Sequence, residues 1–179
     1  KIGEMLGISE ESPAMHYRLF GLELEMEGYS SLDSKIANLK SVVEDNSLRN
    51  NGREFISEPI KFNDACRFFS DVMHTKAVHW YDLDKRCTER GSIHVHVNVT
   101  NLEPWQVFNI LRLYCLLEVG FFSAVADHRQ NNIYCVPLSA TNLPSKLCLI
   151  YDDIYDLSEK WHKYTALNAK PVTKLGTIE

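Results

Sequence analysis

The stretch Gly21-Leu22-Glu23-Leu24-Glu25-Met26-Glu27-Gly28 alternates acidic and apolar residues without a break. A period of two belongs to a strand buried on one side, because successive side chains leave a pleated backbone on opposite faces. Glu23, Glu25 and Glu27 therefore share one face, and Leu22, Leu24 and Met26 the other. Side chains two apart on a strand lie roughly 6–7 Å from each other, so three carboxylates in a row repel. A solvated antiparallel strand accommodates such a row, and so does a bound cation. Glu27, the last residue before Gly28, is expected to be solvated.

Three more segments read as strands. Residues 91–100 alternate throughout, with His94, His96 and Asn98 on one face and Val95, Val97 and Val99 packing the other way. Residues 53–59 carry Glu54, Ile56 and Glu58 at alternate positions before Pro59, which ends a strand for want of an N–H donor. Residues 174–179 form a last strand that ends in Glu179.

Helical spacing appears at 36–43 (Ile36, Leu39, Val42, Val43), at 63–80, at 107–126 and at 153–168. Asn63 is the expected cap of the second helix, with Phe62 as a staple, and Pro104 suits the first turn before the third. Trp105, Phe108, Leu111, Tyr114 and Cys115 are expected in the core, and His74 and His79 at the surface or the core edge. Turns are expected at 49–52 and 142–145, and loops at 81–90 and from 126, where a short strand follows at 133–136. Residues 1–16 read as a lead-in arm. Polar-faced strands separated by uneven helices predict an α+β fold, a mainly antiparallel sheet with helices on one face, in a single domain over 1–179.

Composition narrows the partners. A length of 179 residues with 45% apolar and 24% charged content supports one core. The net charge of −5 argues against nucleic acid as the main partner. Five cysteines without a C-x-x-C pair read as thiols in a reducing compartment, small buried fillers with Cys115 the clearest. The apolar run 107–126 is broken by Asn109, Arg112 and Glu118 and reads as a buried core helix, not a membrane span. No secretory leader is visible; the chain starts at Lys1 and stops within a strand pattern, as expected of part of a longer product.

The chemistry lies on the strand faces. Glu23 and Glu25, Glu54, His94 and Glu179 each sit on a strand whose alternate residues are apolar. If those polar faces come together in one sheet, they form a carboxylate-rich cup with one or two imidazoles. An oxygen-dominated cup suits Mg²⁺ or Mn²⁺, and Mg²⁺ points to a phosphate-bearing substrate. The pair His94 and His96 alone reads equally well as two surface histidines. No glycine-rich phosphate loop is present, so a nucleotide would be held through metal ions and dispersed basic side chains.

The order of these motifs resembles the amidoligase family. The residues that carry the likeness are Gly21-Leu22-Glu23-Leu24-Glu25, Asp45-x-Ser47 ahead of Arg53-Glu54-Phe55-Ile56-Ser57-x-Pro59, and Gly91-Ser92-Ile93-His94-Val95-His96. Asn168 and then Gly176-Thr177-Ile178-Glu179 complete it, so it spans 20–179. These carboxylate–amine ligases are related to glutamine synthetase and glutamate–cysteine ligase and are frequent in phages and bacteria. The resemblance implies a fold like the glutamine synthetase catalytic domain, with Glu23, Glu25, Glu54, His94 and Glu179 as ligands of Mg²⁺ or Mn²⁺. His96 would lie on the nucleotide side, as would Asn168, and Arg129 would meet phosphate or substrate carboxylate. Lys163 stands where the family has an arginine, and a further family arginine would fall two residues past Glu179.

The implied activity is ATP-dependent joining of a carboxylate and an amine through an acyl phosphate, with Arg129 and Lys163 stabilising the charge that develops. The implied substrates are peptides or amino acids, in the cytoplasm (a host's if the chain is phage-encoded), with no membrane or nucleic-acid partner; homo-oligomers are left open. Two alternatives stand beside it: an inactive structural or interaction protein of the same fold, such as a virion component, and an H-x-H metal-dependent hydrolase or oxygenase.

Overall fold

The computed structural model describes residues 1–28, 35–74, 90–125, 130–148 and 153–179. Its strands are β1 (Phe20–Met26), β2 (Leu39–Glu44), β3 (Arg53–Ser57), β4 (Ile93–Asn98) and β5 (Thr177–Ile178). The fold is α+β with an open five-stranded antiparallel sheet in the order β2-β3-β1-β4-β5. The chain divides into two units, Arg18–Val97 and the pair of segments Lys1–Tyr17 and Asn98–Glu179.

In the unit Arg18–Val97, the alternation of β1 sets its burial. Leu22, Leu24 and Met26 are buried, while Glu23 and Glu25 are half-buried on the opposite face. Helix α3 (Phe62–Met73) covers the apolar side, setting Ala65, Phe68 and Val72 in one core with Leu22, Leu24, Met26 and Phe55. Its cap position is Lys61, two residues before the expected Asn63, and Phe62 stays exposed against the edge of Phe20. The remainder of the helix expected to 80, with His79, lies outside the described residues, as does the loop from 81 to 89. His74 caps the C-terminal end at the surface.

The helix expected over 36–43 is instead β2. Val42 and Val43 are β-branched, and the 45–52 turn folds them back against Phe55 and Glu54 of β3. That turn uses the Asp45 carboxylate as acceptor for the Ser47 N–H (2.7 Å), and Asn50 and Asn51 adopt left-handed backbone. Glu27 is also corrected: it is 2% exposed, and it accepts the Arg49 N–H at 2.5 Å, holding the turn. A carboxylate can be buried there because a backbone donor replaces water.

In the other unit, the lead-in folds as two short helices, α1 (Ile2–Met5) and α2 (Pro13–His16). The N–H groups of Ile2 and Gly3 donate to Leu102 and Thr100 carbonyls, and Asn98 donates to the carbonyls of Ala14 and Tyr17. The long helix α4 (Pro104–Ser123) opens with Pro104 in its first turn, as expected. Val107, Phe108 and Leu111 join a core with Leu138, Leu143, Leu157, Trp161 and Ile178. The helix is not buried all round: Trp105, Leu113, Leu116 and Val119 are exposed, so Trp105 is not core. No helix of the described residues is long and apolar enough to cross a membrane.

Three further expectations fail locally. The turn expected at 142–145 is the start of α5 (Leu143–Cys148), whose Leu143 and Leu147 are buried. The strand expected at 133–136 is only a single bridge from Val136 to Thr165. The helix expected over 153–168 stops early as α6 (Ile154–Glu159), capped by the Asp153 carboxylate as the sequence allows. It stops because the Trp161 ring turns inward, its Nε1 donating to the Thr165 hydroxyl and the Leu167 carbonyl. A last short helix, α7 (Val172–Leu175), ends at left-handed Gly176 and leads into β5. Cys66 and Cys148 are exposed rather than buried, and Cys115 is half-buried.

Candidate metal centre

Antiparallel pairing sets directly opposed residues on the same face. Glu25 lies opposite Glu54, Glu23 opposite His94, and Gly21 opposite His96. The ladders β3-β1-β4 thus bring Glu23, Glu25, Glu54, His94 and His96 to one face of one sheet, all within the unit Arg18–Val97. The absence of a side chain at Gly21 leaves room beside His96, which is buried.

The contacts are close. His96 Nε2 is 3.3 Å from one Glu23 oxygen, and His94 Nδ1 is 3.7 Å from the other. His94 Nε2 lies 3.8 Å from Glu25 Oε1. Ser92 sits between them, its hydroxyl donating to Glu25 Oε2 while its oxygen lies 2.7 Å from His94 Nε2. Ser92 belongs to none of the expected ligand positions. Its signal was its place two residues before His94, which sets it on the same strand face.

The carboxylates divide by environment. The hydrogen bond from His96, followed by the charges of His96 and His94, holds the Glu23 carboxyl below its usual range despite partial burial. Burial, then the charge of Glu23 and a hydrogen bond with it, pushes Glu54 up to about 7, with the Glu25 charge adding to the rise. Glu54 thus keeps a proton that water would remove, and Glu23 keeps its charge. Carboxylate and imidazole donors are the kind a divalent ion takes, and its charge would offset the Glu23 repulsion that adds to burial in raising Glu54.

In comparisons with known proteins, no family model, no curated protein and no solved structure matches the chain.

Of the other expected site residues, Glu179, Asn168 and Lys163 belong to the unit that contains α4. The Glu179 backbone pairs both ways with Asn168, whose amide also donates to Glu179 Oε2 at 2.8 Å. Asn168 is therefore a partner of that carboxylate, in an irregular segment rather than a helix. Lys163 is also outside a helix, with its ammonium 4.5 Å over the Tyr164 ring. Arg129 lies outside the described residues.

Proposed function

We propose that the chain is an ATP- and Mg²⁺-dependent carboxylate–amine ligase. The observation that carries this reading is the convergence of Glu23, Glu25, Glu54 and His94 from three strands onto one sheet face. Those are the positions that the resemblance to amidoligases assigns to the catalytic cation, and strand registry had no obligation to unite them.

In this reading a substrate carboxylate is phosphorylated by ATP to an acyl phosphate, and an amine then displaces phosphate. Mg²⁺ or Mn²⁺, when bound, supplies positive charge between phosphate oxygens that would otherwise repel one another. Glu23, Glu25, Glu54 and His94 would hold it. Glu23, held below its usual range, would offer its charge to the ion directly, and Glu54, raised to about 7, would have to release a proton to do so. His96, fixed against Glu23, would orient that carboxylate.

A second reading has an observation of its own. His94 and His96 flank the same Glu23 carboxylate, a two-histidine, one-carboxylate grouping that suits a metal-dependent hydrolase or oxygenase. One assay separates the two. Mg²⁺-dependent ADP release that requires a carboxylate and an amine, and that is lost in Glu25→Ala, supports the ligase. Turnover without nucleotide supports the hydrolase. Absence of Mg·ATP binding by calorimetry, in wild type and Glu25→Ala alike, removes the ligase reading and leaves a structural protein of this fold.

A further inference from the structure

Helix α4 carries an apolar face that the described residues of its own unit leave uncovered. Val107, Leu111 and Glu118 mark the buried side, with Glu118 buried because it accepts the Leu138 and Ser139 N–H groups. Trp105, Ile110, Leu113, Leu116, Leu117 and Phe121 are exposed away from that side, Leu116 to 81%. At ordinary residue areas these six expose roughly 650 Å², above the largest apolar patch of a typical monomer (about 300–600 Å²). The helix has two charged residues, and neither charges this face: Glu118 is buried, and Arg112 donates to the Leu147 carbonyl and Asn109.

We infer that this face binds a second copy of the chain, with the two α4 helices antiparallel about a twofold axis near Leu113. The area identifies the partner class, since stable interfaces bury about 800 Å² per partner and depend on a charge-depleted apolar centre. The spacing identifies a second copy. A twofold contact needs a patch that complements itself, so residues at equal distances either side of the axis meet across it. About Leu113, aliphatic Ile110 and Leu116 stand three positions either way, and aromatic Trp105 and Phe121 stand eight positions either way. An antiparallel pair therefore sets Trp105 against Phe121 at both ends and Ile110 against Leu116 between them. Leu117 is the exception, since it stands against Asn109 across the same axis.

The test is the mass of the 179-residue protein by light scattering and sedimentation across a concentration series. The wild type should give twice the chain mass. Leu116→Glu, at a position already exposed, should give the chain mass with an unchanged far-ultraviolet circular dichroism spectrum. Leu113→Cys should cross-link to its own symmetry mate on mild oxidation, beyond any wild-type background, with the linkage located by peptide mapping. A wild type that stays monomeric at every concentration overturns the proposal. So does a dimer that survives Leu116→Glu, or one in which Leu113→Cys forms no linkage.

Discussion

Glu54 stands directly opposite Glu25 across the β1–β3 ladder, a pairing of like charges on a single sheet face. Opposed acids on neighbouring strands are destabilising, and Glu23, next on the same face of β1, adds to the charge around Glu54. Such an arrangement costs stability unless positive charge offsets it, and that cost should be measurable in the metal-free protein.

The cost should appear as a pH dependence of stability. Glu54 is raised from 4.5 to about 7, so between those values the folded chain holds a proton that the unfolded chain has lost. Stability contributed by that proton is complete below pH 4.5 and falls as pH rises to about 7. Water screens this half-exposed group, which brings the loss to the order of 1 kcal/mol. Urea unfolding of the metal-free protein, followed by circular dichroism from pH 4.5 to 7.5, should show that decline. Glu54→Gln should flatten it. The lowered Glu23 acts with the opposite sign, and only below pH 4.5.

Divalent cations should reverse the penalty. An ion that binds only the folded chain adds about 2.7 kcal/mol at a hundredfold excess over its dissociation constant. Thermal melts with Mg²⁺ or Mn²⁺ against chelator should show an upward shift that Glu23→Gln removes. An equal melting temperature in both conditions would count against the metal centre.

Glu118 gives a prediction independent of the centre. Its buried carboxylate accepts the Leu138 N–H at 2.5 Å and the Ser139 N–H at 2.9 Å. Glu118→Ala leaves two backbone donors without an acceptor and should cost about 2–3 kcal/mol. Glu118→Gln keeps one acceptor oxygen and should recover part of that loss in urea titrations.

Gly176 tests the route into β5. Its φ of 67° is left-handed, and a Cβ there would lie 2.3 Å from the Thr100 methyl carbon. Gly176→Ala should destabilise by about 1–3 kcal/mol. Adding Thr100→Ser removes that methyl and should restore the steric part while the backbone part remains. Both effects are read from denaturant midpoints.

Much of the fold was legible wherever one period dominated. The alternation at Glu23 and Glu25, and that at His94 and His96, located β1 and β4 and the faces of their side chains. Pro104 and Asp153 marked two helix starts. Short segments with mixed signals were not legible: Val42 and Val43 fit helical spacing as well as a strand, and pairing with β3 decided between them. Leu143 read as part of a turn until its place in the core with Leu147 made the segment helical. Glu27 looked solvated because a sequence does not show that the Arg49 N–H will arrive beside it.

By itself the sequence determined which acids and imidazoles share a strand face, because side-chain direction along a strand is fixed by covalent geometry. Only the tertiary structure decided that Glu54 would meet Glu25, that His94 and His96 would close on Glu23, and that Ser92 would bridge Glu25 and His94. Registry between strands distant in the chain is set by the burial of Leu24, Phe55, Phe68 and Val72 on the opposite face, a many-body packing problem that no local pattern encodes.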